Sequence, residues 1–147
     1  MSVRWIRRAQ CAWRARRLLT DTVLLAGAYR RMVEGLAHEG EFDEDMFTTA
    51  YRTRKLIGVR LDEAEVYARA ASTPNRRMLD RRARLAAVVD EADTLMDKAR
   101  TRYNEMVLLE YEANGMDVDL LEHARRIMAD TGELLGGIEV VRLGEEQ

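Results

Sequence analysis

Very little in this chain can stop a helix. Its 147 residues include one proline, Pro74, so a single position is barred by ring geometry from an internal helical hydrogen bond. Aromatic residues make up only 6% while Ala, Leu, Arg, Glu and Met are plentiful, which argues against a strand-rich fold and for helix. One cysteine, Cys11, excludes an intrachain disulfide and suits a reducing compartment, where it serves as a small apolar residue. Lysine is almost missing, at 2 against 22 arginines. Nearly every positive charge is therefore a planar fork that can hold a carboxylate or phosphate through two hydrogen bonds. That bias also fits an accessory protein of a GC-rich bacterium or its phage.

No uncharged apolar run reaches the roughly 18 residues a membrane-spanning helix needs, so integral insertion is not expected. The first twenty residues are Arg-rich and acid-free, as in an organelle transit peptide. However, the apolar spacing that begins at Leu18 runs straight out of that segment, and Thr20-Asp21-Thr22 interrupts what would be a secretory apolar stretch. Catalytic patterns are missing too: there is no Ser-His-Asp or Cys-His set, no Gly-rich phosphate loop and no Cys-x-x-Cys. His38 follows Glu34 by four residues and His123 follows Asp119 by four, which reads as ordinary helix-surface pairing. No catalytic residue, metal or cofactor is expected.

What is present is periodicity. Leu85, Val89, Ala92, Met96, Ala99, Tyr103 and Met106 step 4-3-4-3-4-3. Leu18, Thr22, Leu25, Tyr29, Met32 and Leu36 step 4-3-4-3-4. Such spacing keeps one seam of each helix facing a partner helix turn after turn. Arg82 and Glu110 hold seam positions at the two ends of the second stripe. With 47% hydrophobic and 34% charged residues, the chain can bury a core, and its length suits one domain.

The local signals predict five helices. The first runs over 3–38 and ends near Gly40. The second starts at Asp43 as N-cap, with Phe42 and Phe47 as a hydrophobic staple, and stops at Gly58. The third is short, about 63–71, behind an Asp62/Glu65 capping box with a Leu61/Val66 staple. The fourth runs over 74–113, with Thr73 as cap, Pro74 at its first position and Asn114-Gly115 as its stop. The fifth starts near Asp117 and ends at Gly136-Gly137; the tail, 138–147, carries no clear pattern. The fold expected is all-α: an elongated helical bundle with two long heptad-patterned helices, two short helices between them and a C-terminal helix. The two long helices are expected to pair antiparallel.

Charge is segregated. The net is +6 over 1–38, −5 over 39–51, +6 over 52–84 and −9 over 85–147. Near the N-terminus Arg4, Arg7, Arg8 and Arg14 project on the side of Leu18, Leu25 and Met32, with Trp5, Ile6 and Trp13 roughly opposite. The stripe thus changes face near residue 16, and 1–16 is expected to project as a basic segment. Three partners compete for it: an anionic membrane surface, nucleic-acid phosphates with the tryptophans as stacking platforms, and acidic blocks of this chain or a copy, with the tryptophans as interface anchors. A second cluster, Arg76, Arg77, Arg81, Arg82 and Arg84, opens the fourth helix, where positive charge opposes the dipole. The short second and third helices imitate a helix-turn-helix, but Asp62, Glu63 and Glu65 would put acids where DNA enters.

The sequence reads best as a non-enzymatic structural or adaptor protein that self-assembles, as a homo-oligomer, or docks into a larger complex, in the cytoplasm or within a cytoplasmic or virion assembly. Its contact residues are expected to be Arg4, Trp5, Arg7, Arg8, Trp13, Arg14, Arg17, Arg76, Arg77, Arg81 and Arg84. The alternative is a small subunit that grips a nucleic-acid backbone non-specifically with those arginines.

Overall fold

The computed structural model describes residues 3–38, 43–71 and 76–131. All of the described elements are α-helices: α1 (Val3–His38), α2 (Glu44–Ala70), α3 (Arg76–Ala113) and α4 (Val118–Thr131). They form two compact units, Met1–Leu95 and Met96–Gln147.

The first unit holds α1, α2 and the first half of α3. In α1 the buried residues are Ala15, Leu19, Thr22, Ala26, Tyr29, Val33 and Leu36, again a 4-3 alternation. The expected seam shares Thr22, Tyr29 and Leu36 with it. The intervening positions differ: Leu19, Ala26 and Val33 are buried, while Leu18, Leu25 and Met32 are half-buried flanks. Small residues at Ala15 and Ala26 let neighbouring helices approach, and the longer side chains cover the edges of the contact. Thr22 satisfies its buried hydroxyl by donating to the Leu18 carbonyl at 2.6 Å.

α2 departs from the sequence reading. Its N-cap is Asp43, whose carboxylate accepts from the Met46 backbone N–H at 3.1 Å. Phe42 of the expected staple lies outside the described residues. The helix then runs unbroken through Gly58 for 27 residues, where two short helices had been expected. The reason is energetic. Ile57 and Leu61, on either side of Gly58, are buried, worth roughly 1.5–3 kcal/mol each. A glycine inside a helix costs only about 1 kcal/mol relative to alanine. The expected capping box has no helix start to cap: Val66 is 65% exposed, and Glu65 pairs instead with Arg69 and Arg82. Buried Ala50, Ile57, Leu61, Ala64 and Ala68, with Arg54 at the vacant step, make a third heptad seam.

In α3 the buried positions are Met78, Leu85, Val89, Ala92, Met96 and Ala99, with half-buried Arg82 on the same 4-3 series. Tyr103 is half-buried and Met106 is 43% exposed. From there burial moves to Asn104, Val107 and Leu108. A straight helix of 3.6 residues per turn drifts off a seven-residue repeat by about 20° per heptad, which carries Met106 out of the seam.

Polar ties set the register of the first unit. Asp93 accepts from the Tyr29 hydroxyl at 2.6 Å and from Arg54 Nε, which lies 2.9 and 3.0 Å from its two oxygens. Arg82 donates to the Leu61 carbonyl at 2.8 Å and lies near Asp62 and Glu65. Arg81 donates to Thr20 Oγ1 at 3.4 Å. Thr20 with Arg81 and Tyr29 with Asp93 ascend together, so α1 and α3 run parallel and α2 returns antiparallel between them. The expected antiparallel pairing of α1 and α3 fails because the connection is one full-length helix, which turns the chain round twice.

The second unit is built on the end of α3 and on α4. Val107, Leu108, Leu121 and Ala124 form its buried cluster, flanked by Tyr103, Tyr111, Met116, Ile127 and Met128. Gly115, at φ 80°, allows the left-handed turn that ends α3. Gly115 N–H bonds the Glu112 carbonyl and Met116 N–H the Tyr111 carbonyl, the paired bonds of a Schellman stop. Leu121 N–H to the Asp117 carbonyl at 3.0 Å opens α4. The expected helix start at Thr73-Pro74, the stop at Gly136-Gly137 and the tail 138–147 lie outside the described residues.

Candidate anion-binding end of the first unit

The parallel arrangement brings the N-termini of α1 and α3 to one end, beside the C-terminus of α2. Measured from the Thr20–Arg81 tie, α1 extends roughly 12 residues, ~18 Å, past the first described residue of α3. Residues 4–10 are all exposed, including Arg4, Arg7 and Arg8 and, at 54%, Trp5. Ala12 is half-buried and Ala15 is the first buried residue. The overhang bears arginine on the face that would otherwise continue the seam.

Below the overhang, the other expected residues divide between two grooves. Between α1 and α2, Arg14, Arg17, Leu18, Asp21, Arg60, Glu63 and Tyr67 line a recess of about 240 Å³. Arg14 donates to the Tyr67 hydroxyl at 3.0 Å and lies 5.5 Å from its ring centroid. Asp21 and Glu63 offset much of the positive charge there. Between α1 and α3, Arg16, Arg77, Arg81 and Arg84 surround an open cleft of about 500 Å³, with buried Met78 in its lining and no carboxylate among the lining residues. Arg76 is exposed and does not line it.

Like charges roughly 8 Å apart repel by about 0.5–2 kcal/mol per pair as the effective dielectric falls from 80 to 20. Four guanidinium groups around one opening are thus an arrangement that an anion would relieve. Arginines inside the bundle behave differently: Arg54 and Arg82 pair with Asp93, Asp62 and Glu65. Among the described residues no carboxylate forms an ion pair with Arg16, Arg77, Arg81 or Arg84, nor with Arg4, Arg7 or Arg8.

Trp13 is 58% exposed, and the Arg17 guanidinium lies 5.3 Å from the centroid of its ring. It precedes Thr20 by seven residues and therefore shares its helix face, two turns from the Thr20–Arg81 tie; it is not among the residues lining either groove. Arg16 and Arg60 were missed by the sequence reading. Arg16 follows buried Ala15 directly, and phasing the seam on Ala15-Leu19-Thr22 would have turned Arg16 toward α3.

Among the described residues no three His, Cys, Asp or Glu side chains are grouped to hold a metal ion. Cys11 is a half-buried free thiol. No helix among them is long and apolar enough to cross a membrane. The fold and site define an all-α bundle protein with an arginine-rich end. No known family model, curated protein or solved structure matches the chain.

Proposed function

We propose that this chain is a non-enzymatic helical adaptor that works by association, with the arginine-rich end of its first unit as the contact surface and a second copy as the occupant. The supporting observation is the division of its arginines. Arg54 and Arg82 within the bundle are tied to carboxylates, whereas Arg4, Arg7 and Arg8 of the overhang and Arg16, Arg77, Arg81 and Arg84 of the cleft form no ion pair with a described carboxylate. The opposite end of the same unit carries the exposed acids Asp43, Glu44 and Asp45 at the start of α2. A bundle with unlike ends favours head-to-tail contact between copies, the heterologous geometry that makes rings or filaments. A cytoplasmic place, free or inside a larger assembly, goes with this reading.

The test is molar mass in solution by light scattering over a range of protein and salt concentrations. The expected result is a low-salt oligomer whose mass falls as salt screens the contact. Arg4→Glu/Arg7→Glu/Arg8→Glu should give single chains, as should Glu44→Arg/Asp45→Arg, and mixing the two variants should restore association. A single-chain mass at every concentration and salt level rejects the reading. The acid-free cleft at the same end favours a second use of it.

A further inference from the structure

Three features of the cleft and its surroundings bear on what it would hold. Its charge is concave and one-signed: Arg16 comes from α1, and Arg77, Arg81 and Arg84 from one face of α3 at i, i+4 and i+7. It contains no lysine, so every donor is a fork suited to phosphate oxygens. An exposed aromatic ring stands on α1 two turns from the Thr20–Arg81 tie, since Trp13 shares the Thr20 face, with one side of its indole already against Arg17. An acidic protein surface would meet the arginines and could bury the indole as an anchor, but it brings no row of flat rings to stack on it. A duplex keeps its bases stacked inside. A single strand offers both phosphates in a row and free base faces.

We propose that Arg16, Arg77, Arg81 and Arg84 hold consecutive phosphates of a single-stranded nucleic acid while one base stacks on Trp13. This rests on the reading that the basic end is the working surface, but it fails separately, because chain association is measured without nucleic acid. Arg81, held to Thr20, fixes the position of the strand on α1. Arg77 and Arg84 sit about 10 Å apart along α3 and reach successive phosphates. No base edge is read, so sequence preference should be slight.

The experiment uses the full chain carrying Trp5→Phe, which leaves Trp13 as the sole tryptophan. It is titrated with a mixed-sequence single-stranded oligonucleotide, the matching duplex, tripolyphosphate and poly-glutamate. The single strand should quench Trp13 emission, with a salt slope of about −3 for four phosphate contacts. Arg77→Gln/Arg81→Gln/Arg84→Gln should weaken it by at least about tenfold. Trp13→Ala, followed by strand anisotropy, should cost roughly fivefold or more, and Trp13→Phe little. Should the triple variant lose its helical circular dichroism, Arg16→Gln, which changes one exposed side chain on α1, serves in its place and should weaken binding severalfold. Unchanged binding in the folded arginine variant overturns the proposal. So does duplex or poly-glutamate binding that matches the single strand without quenching, or tripolyphosphate displacing the strand at equal concentration, which would make the site one for free oligophosphate.

Discussion

Two tyrosines, one in each compact unit, show how differently the two are held. Tyr29 is buried in the first unit and gives its hydroxyl to Asp93 at 2.6 Å. Tyr111 packs on the apolar cluster of the second, with its hydroxyl buried and without a hydrogen-bond partner among the described residues. The first unit spends polar groups on specificity. Asp93 joins three helices at one point, and Arg82 reaches from α3 to α2. The second unit centres on an apolar cluster and a turn, with one polar side chain, Asn104, fully buried. Their charge differs too: eighteen Lys/Arg against fourteen acids in the first, six against twelve in the second. Heptad seams alone permit helices to slide by a repeat, and a polar tie at one level selects the register. In the second unit the glycine stop fixes where α3 ends.

The sharpest way to break this comparison is at the tie. Asp93→Ala removes the acceptor shared by Tyr29 and Arg54. A charge-assisted bond from a buried hydroxyl is worth about 1.5–3 kcal/mol. The Arg54 pair adds little, because both side chains are about one-third exposed and water screens them. The expected loss is about 2 kcal/mol in chemical denaturation. Asp93→Asn should lose about half of that, because it keeps an acceptor for Tyr29. A loss below roughly 0.5 kcal/mol in Asp93→Ala would mean that apolar packing, and not this tie, sets the first unit.

At the turn the second unit should be the more sensitive. Gly115→Ala adds a Cβ to a residue at φ 80°. There is open space around it, so the cost is backbone strain alone, about 1–2 kcal/mol for a non-glycine residue in the left-handed region. Gly115→Asn should cost less, since asparagine tolerates that region. Thermal unfolding of the two variants side by side checks the order. Equal values for alanine and asparagine would show that the stop does not govern stability here.

The helices and their caps were legible because their signals are local: Asp43 as cap, Gly115 as stop, and the 4-3 spacing through Thr22, Tyr29 and Leu36 and through Leu85 to Ala99. The errors share one cause, the weighing of local against tertiary terms. Gly58 reads as a stop until Ile57 and Leu61 are known to be buried. Leu18, Leu25 and Met32 are as large as or larger than Leu19, Ala26 and Val33, but close helix contact favours the smaller set. The α2 seam was hidden because Arg54 occupies one of its steps, and only the Asp93 carboxylate, 39 residues away, makes that position sensible. The arginines of the cleft were mostly visible as two clusters. That they share one cleft depends on α1 and α3 being parallel, and no local spacing encodes that.

The last contrast reverses in sign between the units. Tyr29→Phe should destabilise the chain by about 1.5 kcal/mol, through the lost charge-assisted hydrogen bond to Asp93. Tyr111→Phe should stabilise it by about 1 kcal/mol, since a buried hydroxyl without a partner is a cost that phenylalanine lacks. The Tyr111 phenol also has its pKa raised above the ordinary 10.0, first by burial and then by the neighbouring Glu110 carboxylate. Folding therefore favours the protonated phenol. That part of the stability is complete below the unfolded value near 10 and is lost as pH rises through the higher folded value. Unfolding followed from pH 8 to about 11.5 should show an alkaline fall in the wild type that is shallower in Tyr111→Phe, with Tyr29→Phe compared alongside. If Tyr111→Phe lowers stability instead, the hydroxyl has a partner in the folded chain, and the apolar account of the second unit is wrong.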